Sequence, residues 1–165
     1  MLEIEAKGFD RLAALPERLG GLVKTAMLPQ LALGIERVMS VLIQRLPVGA
    51  TGTLRRSIQR EYNLTPVFDF NAKIYTTARH AKYAEKGRKP GALPPVDALQ
   101  QWAKQRGLNP WAVAQGIAQH GTRRSRTREP GEWEMTHRET PKLMAPAVEK
   151  AGQALADAIG KYLRG

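Results

Sequence analysis

The longest regular alternation of apolar and polar positions lies between residues 28 and 46. Apolar side chains recur there every three or four positions, at Leu28, Leu31, Ile35, Val38, Leu42 and Leu46. This spacing forms one face of an α-helix. Ala32, Met39 and Ile43 widen the face, so we expect the helix to pack on two sides, either under a sheet or against a neighbouring subunit. Pro47 ends the helix, because proline clashes with the carbonyl one turn back and donates no N–H.

The residues before this helix predict two short elements. Residues 2–6 alternate apolar and acidic side chains, which indicates a short edge strand that Gly8 ends. From Phe9 the apolar spacing is again helical. Pro16 and the pair Gly20-Gly21 interrupt it, so we expect a short helix, a kink and then the long helix.

A small β-sheet is predicted after the long helix. Residues 57–64 alternate imperfectly and indicate one strand, and residues 67–77 are rich in β-forming side chains and indicate one or two more. Short connections of this kind join antiparallel strands. We therefore expect a small antiparallel sheet.

Short helices follow the sheet. Gly87 ends a helical turn over residues 78–87, and a pair of short helices spans residues 94–121. Asn109 caps the second helix of this pair and Pro110 takes its first position. We expect Trp102 and Trp111 to pin the pair onto the core, because aromatic side chains bury large areas.

The last part of the chain predicts a loop, a strand and a helix. Residues 122–131 are the most polar stretch and indicate a mobile basic loop. Residues 133–137 alternate and suit a short strand, and residues 141–145 should be extended because they precede Pro146. Pro146 then begins a helix with a clean apolar stripe to residue 163.

These elements predict a single α+β domain over residues 1–165. A small antiparallel sheet packs against a long N-terminal helix and a C-terminal helix, with an inserted helical pair at about 94–121 and a mobile basic loop at about 122–131. A chain of 165 residues is large enough to bury one core.

The charge balance narrows the partners without choosing among them. Lys and Arg number 26 against 15 Asp and Glu, which gives a net charge of +11 and a pI near 10.3. Such a balance favours nucleic acid, an anionic surface or an acidic partner. The chain has no cysteine, which excludes disulfides and thiolate metal sites. The acidic N-terminal residues do not resemble a signal peptide, and no run of eighteen uninterrupted apolar residues predicts a membrane span.

Candidate chemistry is sparse. The three histidines are isolated, and His80 and Glu85 lie five positions apart, unlike the i, i+4 pair of a helical metal site. The segment 87–91 contains glycines and basic residues but lacks the strand-loop-helix context of a phosphate-binding loop. We therefore expect no catalytic residue, no metal and no cofactor, and a hydrolase that uses His80 and Glu85 is the least favoured hypothesis.

Three basic segments remain, at residues 55–56, 79–89 and 123–128. They are either solvated charge or contacts to DNA phosphates or to an acidic partner, and phosphate contacts carry no sequence information. No helix-turn-helix or zinc-finger spacing predicts base-specific recognition. The candidates for contact with DNA or with an acidic partner are Arg123, Arg124, Arg126 and Arg128.

Three blocks of residues, in this order, resemble one known family. Residues 47–58 contain a proline followed by Thr-Gly, Leu-Arg and Ser-Ile, residues 81–87 contain Tyr-Ala, Glu and Gly, and residues 142–147 end in Pro-Ala before the C-terminal helix. With the helical insert, this arrangement is similar to that of the tail-completion or neck (minor tail) proteins of long-tailed bacteriophages. The chain departs from the family pattern at Lys86, where an aromatic residue is usual, and at Leu143, where phenylalanine is common.

The resemblance implies a structural virion protein of the head-tail junction, not an enzyme. It would form a ring, expected to be a hexamer, that joins the tail to the connector around the DNA channel. Its partners would be copies of itself, the adjacent connector and tail proteins and, non-specifically, DNA, with no membrane; it would be made in the host cytoplasm and end in the virion tail. The residues that the resemblance assigns to assembly or partner contact are Thr51, Gly52, Leu54, Arg55, Ser57, Tyr83, Glu85, Gly87 and Pro146. The alternative is a non-specific DNA-binding module.

Overall fold

The computed structural model describes residues 3–6, 17–64, 70–127 and 129–164. Its fold is α+β: a small antiparallel sheet packs against two long helices, and a pair of short helices is inserted between the sheet and the last helix. In chain order the elements are β1 (Glu3–Ala6), α1 (Glu17–Arg45), α2 (Thr53–Arg56), β2 (Ile58–Leu64), β3 (Phe70–Thr76), α3 (Ala81–Lys86), α4 (Val96–Lys104), α5 (Pro110–His120), α6 (Arg123–Thr127) and α7 (Glu132–Arg164). This arrangement confirms the predicted fold class.

The sheet has three antiparallel strands in the order β1-β3-β2. The predicted edge strand at residues 2–6 is confirmed over β1, and residues 67–77 contain the single strand β3, while residues 65–69 lie outside the described part of the chain. Alternate residues of β3 are buried, which gives the sheet one face toward the core. On the strand pair β2–β3, the Tyr75 hydroxyl donates to Glu61 at 2.8 Å. This hydrogen bond to a carboxylate raises the pKa of Tyr75 above that of a free tyrosine.

Helix α1 carries the predicted apolar stripe into the core. Its buried side chains are Val23, Met27, Leu31, Ile35, Val38 and Leu42. The predicted interruption at Gly20-Gly21 is wrong, because α1 runs through both glycines and through Pro29. Burial of a long stripe outweighs the weak helix propensity of these residues. The predicted short helix from Phe9 falls on residues outside the described part of the chain.

Packing on two sides, as predicted for α1, occurs within the chain. The helix contacts α7 along one side and β2 on the other. By length and composition alone, residues 20–45 could also cross a membrane. The core helix of a soluble protein passes the same test, and the stripe of α1 lies in the core here.

Gly34 marks the closest approach of α1 to α7. A Cβ atom at this position would lie 2.6 Å from the Ala147 Cβ and 2.8 Å from the Met144 Sδ. Both distances are shorter than van der Waals contact. Glycine at position 34 therefore sets the spacing of the two long helices.

Helix α7 corrects two predictions. The strand over residues 133–137 and the extended segment over 141–145 are wrong, and Pro146 does not begin the last helix, because α7 is continuous from Glu132 to Arg164. Pro141 and Pro146 both lie on the exposed side. There the carbonyls that lose a helical hydrogen bond can reach water, so the cost of each proline is reduced.

The helical stripe of α7 was hidden because it contains threonines. Its buried residues are spaced by three or four: Trp133, Thr136, Thr140, Met144, Ala147 and Ala151. Thr136 and Thr140 satisfy their buried hydroxyls by donating to the carbonyls four residues earlier, at 2.7 and 3.0 Å. Such back-bonding lets threonine occupy an apolar helix face.

The inserted pair of helices is confirmed, and so is its cap: the Asn109 side chain accepts from the amides of Trp111 and Ala112. The predicted role of the tryptophans is wrong for Trp111, which is 57% exposed. Trp102 is half-buried and lies against Arg106, whose guanidinium carbon is 4.4 Å from the ring centroid. The small buried residues Ala103 and Ala114 let α4 and α5 pack mainly on each other.

Candidate functional site

The first motif block closes the C-terminal end of α1. Arg55 Nε donates to the Leu46 carbonyl at 2.7 Å, and Arg55 Nη2 donates to the Gln44 carbonyl at 3.2 Å. The last carbonyls of a helix have no partner within the helix, and the negative end of the helix dipole favours a cation. Arg55 therefore acts within its own chain as a cap of α1.

The rest of this block forms the turn between α1 and the sheet. Gly52 adopts a positive φ of 66° immediately before α2, and Leu54 is buried behind it. Ser57 Oγ donates to the Leu54 carbonyl at 2.8 Å and lies 2.7 Å from Thr76 Oγ1 on β3. Thr51 alone of these predicted contact residues is exposed, with its hydroxyl 2.5 Å from that of Thr53.

The second block holds the N-terminal end of α7. Glu85 lies on α3 and is 6% exposed. Its two carboxylate oxygens accept from the amides of Trp133 at 3.0 Å and Glu134 at 2.8 Å. These are second- and third-position amides of α7, which an N-cap side chain normally satisfies. Gly131 precedes α7 and has no side chain, so Glu85 supplies the cap from a distant part of the chain.

Two further residues of the second block differ in their environment. Gly87 ends α3 with a positive φ of 70°, and a Cβ atom there would overlap the Ser125 amide of α6. Tyr83 is 43% exposed. The Lys82 Nζ lies 4.9 Å and the Arg88 guanidinium carbon 5.5 Å from the Tyr83 ring centroid, which is the range of cation–π contacts.

The third block lies where α7 meets α1. Met144 and Ala147 contact the position of Gly34, whereas Pro146 between them is exposed. The three blocks thus serve one scaffold: the first caps α1, the second caps α7, and the third packs these two helices together. Most of the predicted assembly residues make contacts inside the chain.

The basic segment 122–131 contains a helix where a loop was predicted. Residues Arg123–Thr127 form α6, which is fastened to the segment after α3. The Arg88 amide donates to Thr122 Oγ1 at 2.8 Å, and Ser125 Oγ donates to the Arg88 carbonyl at 2.8 Å. Mobility of the segment stays a prediction.

The four arginines proposed for partner contact separate into three groups. Arg124 is half-buried and donates to the Ala84 carbonyl and to Glu132, both at 2.9 Å, so it serves the fold. Arg123 and Arg126 are exposed. Arg128 lies outside the described part of the chain. Only Arg123 and Arg126 therefore stand, within that part, as candidates for an external contact.

Docking of α6 on α3 brings together two basic segments that are separate in the sequence. We name as the basic face the exposed or half-buried cations on these elements: Arg79, Lys82, Lys86, Arg88, Lys89, Arg123 and Arg126. The ion pairs of the described residues join Arg45 to Glu139, Arg60 to Glu36, Arg124 to Glu132 and Arg138 to Glu134, so none involves the basic face. Unpaired cations around an exposed tyrosine ring can bind phosphates or acidic side chains.

The histidine and carboxylate of the hydrolase hypothesis do not face one another. His80 is exposed at the residue before α3, whereas the Glu85 carboxylate is occupied by the amides of α7. Among the described residues, no group of three or more His, Cys, Asp or Glu side chains is placed to hold a metal ion. Sequence reasoning missed Gly34 and Gly131, whose signal is a close approach that only the packed helices reveal.

Comparison of this chain with protein-family models, with curated proteins and with solved structures found no match.

Proposed function

We propose that this chain is a structural virion protein of the phage head-tail junction, a tail-completion or neck protein. Copies of it form a ring, expected to be a hexamer, that joins the tail to the connector around the DNA channel. The observation that carries this proposal is the convergence of the three motif blocks on one scaffold. The residues that resemble the family are those that fix α1 and α7 in place, as expected when short motifs preserve an architecture.

The exposed surface offers two chemically different regions to neighbours. The basic face presents cations that have no carboxylate partner among the described residues, and the helical insert presents exposed apolar side chains such as Trp111. A cyclic assembly requires two different complementary patches on each subunit. The basic face supports an electrostatic role toward DNA in the channel or toward acidic surfaces of adjacent rings.

The basic face also favours a second candidate, a non-specific DNA-binding module. Tyr83 stands among Lys82 and Arg88, and an aromatic ring beside cations suits stacking on bases next to phosphate contacts. This function needs no self-association. The oligomeric state therefore separates the two candidates.

Sedimentation velocity across a series of protein concentrations tests the proposal. The ring predicts reversible association that stops at one discrete oligomer without DNA. A protein that stays monomeric at every concentration, yet binds duplex DNA with an affinity that falls steeply with salt, contradicts the ring and favours the DNA-binding module. The slope of log K against log salt then counts the phosphates contacted, at about −0.9 per phosphate.

A further inference from the structure

The helical insert carries an exposed patch without charge. Residues 107–119 contain no Asp, Glu, Lys or Arg, although the whole chain has a net charge of +11. At the start of α5, Trp111 is 57% and Leu108 46% exposed, and Ala112 and Gln115 are exposed beside them. We name these four residues the insert patch. A partly exposed indole of this kind is the usual anchor of a protein interface.

A second apolar feature lies between the two long helices. A groove of about 610 Å³ is lined by Leu22 and Ala26 of α1 and by Ala154, Asp157, Ala158 and Lys161 of α7. Three alanines leave the space between the helices open, and the charges of Asp157 and Lys161 at the rim offset one another. The volume lies in the range of cavities that enclose a small organic molecule, so an indole ring fits.

These two features lie toward opposite ends of α1. The Gln105 side chain donates to the Ala50 carbonyl, which places the end of α4 beside the loop that follows α1. The groove lies near the first turns of α1, around Leu22 and Ala26. About 30 Å of helix separates the two ends at 1.5 Å per residue.

We propose that the insert patch of one copy docks in the groove of the next copy, with Trp111 as the anchor between α1 and α7. The inference rests on the proposed ring and names the two surfaces that would build it. A second copy is the occupant that the charges favour. Two chains of +11 repel, and both surfaces are neutral in sum, so this contact keeps the basic faces apart. Patches at opposite ends give a head-to-tail contact, which closes into a ring when the rotation between copies permits.

The contact is small, because one aromatic anchor and its neighbours bury only a few hundred Å². We therefore expect assembly to depend on concentration and to gain from ring closure, in which each copy makes two contacts. The basic face stays free in this arrangement.

Two variants that each remove one half of the contact test the inference. Trp111→Asp places a charge on the insert patch and leaves the groove intact. Ala158→Arg fills the groove and leaves the insert patch intact, and Asp157→Arg at the exposed rim is a second groove variant should Ala158→Arg melt early. Leu33→Asp is the matched control, since Leu33 is 63% exposed and lies in neither surface.

Sedimentation of each variant alone and of a 1:1 mixture gives the readout. We expect each single variant to be monomeric, Leu33→Asp to assemble like the wild type, and the mixture to reach twice the monomer mass and stop. The mixture stops at a dimer because the Ala158→Arg copy can lend only its insert and the Trp111→Asp copy only its groove. Wild-type assembly that survives Trp111→Asp or both groove variants, or a mixture that stays monomeric, overturns the inference and leaves the ring standing. A wild type that never assembles overturns both.

Discussion

Glu85 and Gly131 fit together at the N-terminal end of α7. A Cβ atom at position 131 would overlap the Glu85 carboxylate, so glycine at this position allows the carboxylate to reach the amides of Trp133 and Glu134. Residues 46 positions apart in the sequence thereby form one helix cap. The negative carboxylate also lies at the positive end of the α7 dipole.

Glu85→Ala should lower the free energy of unfolding by about 2–3 kcal/mol, because two buried amides lose their acceptor. Glu85→Gln should have an intermediate effect, because it keeps an amide oxygen but loses the charge. Urea denaturation followed by circular dichroism gives the values. Glu149→Ala, on the exposed side of the same helix, is the control and should change stability by less than about 0.5 kcal/mol. Equal effects of Glu85→Ala and Glu149→Ala would contradict the cap.

Gly34→Ala should destabilise the protein by about 1–3 kcal/mol, even though alanine is the better helix former. The new methyl group would lie 2.6 Å from the Ala147 Cβ and force α1 and α7 apart. Gly152→Ala, in α7 with open space around it, should instead raise stability by up to about 1 kcal/mol. Thermal melting of both variants is sufficient, and a stabilising Gly34→Ala would show that the helices are less closely packed.

Gly52→Val should lower the free energy of unfolding by about 1–3 kcal/mol. The space around Gly52 is open, with only Val48 at 4.0 Å, but its φ of 66° strains a β-branched residue. Gly52→Asn should cost less, because asparagine tolerates the left-handed conformation. If valine and asparagine give the same melting temperature as glycine, the turn after α1 does not constrain the fold.

Arg124 and Arg126 should separate stability from binding. Arg124→Ala should lower the free energy of unfolding by about 1–2 kcal/mol, because it removes the bonds to the Ala84 carbonyl and Glu132. Arg126→Ala should leave stability unchanged and weaken binding to duplex DNA, with a salt slope smaller by about 0.9 if one phosphate contact is lost. Fluorescence anisotropy at several salt concentrations measures the slope. Unchanged DNA binding in both Arg126→Ala and Arg123→Ala would leave these cations as solvated charge.

The sequence was sufficient where a pattern depends on neighbours along the chain. The stripe of α1, the alternation of β3 and the Asn109 cap of α5 are all local signals, and each is confirmed. The extent of α7 was not predictable in the same way. Pro141 and Pro146 suggest breaks, and only their exposed position in the packed structure explains why the helix continues.

The candidate site was predictable in its residues but not in their roles. Glu85, Arg55 and Ser57 were expected to contact partners, yet each is bonded inside the chain, because their partners are backbone groups that no sequence pattern reveals. The basic face joins two segments about 40 residues apart through Arg88, Thr122 and Ser125. Trp111 was expected in the core and lies on the surface, since Ala103 and Ala114 provide the contact between α4 and α5.

Negative-stain electron microscopy of the purified protein, at a concentration above its self-association, tests the central claim most directly. A repeated subunit of the head-tail junction should appear as rings of one diameter with an open centre. A field of single particles of monomer size, at concentrations where sedimentation also finds only monomer, would contradict the account.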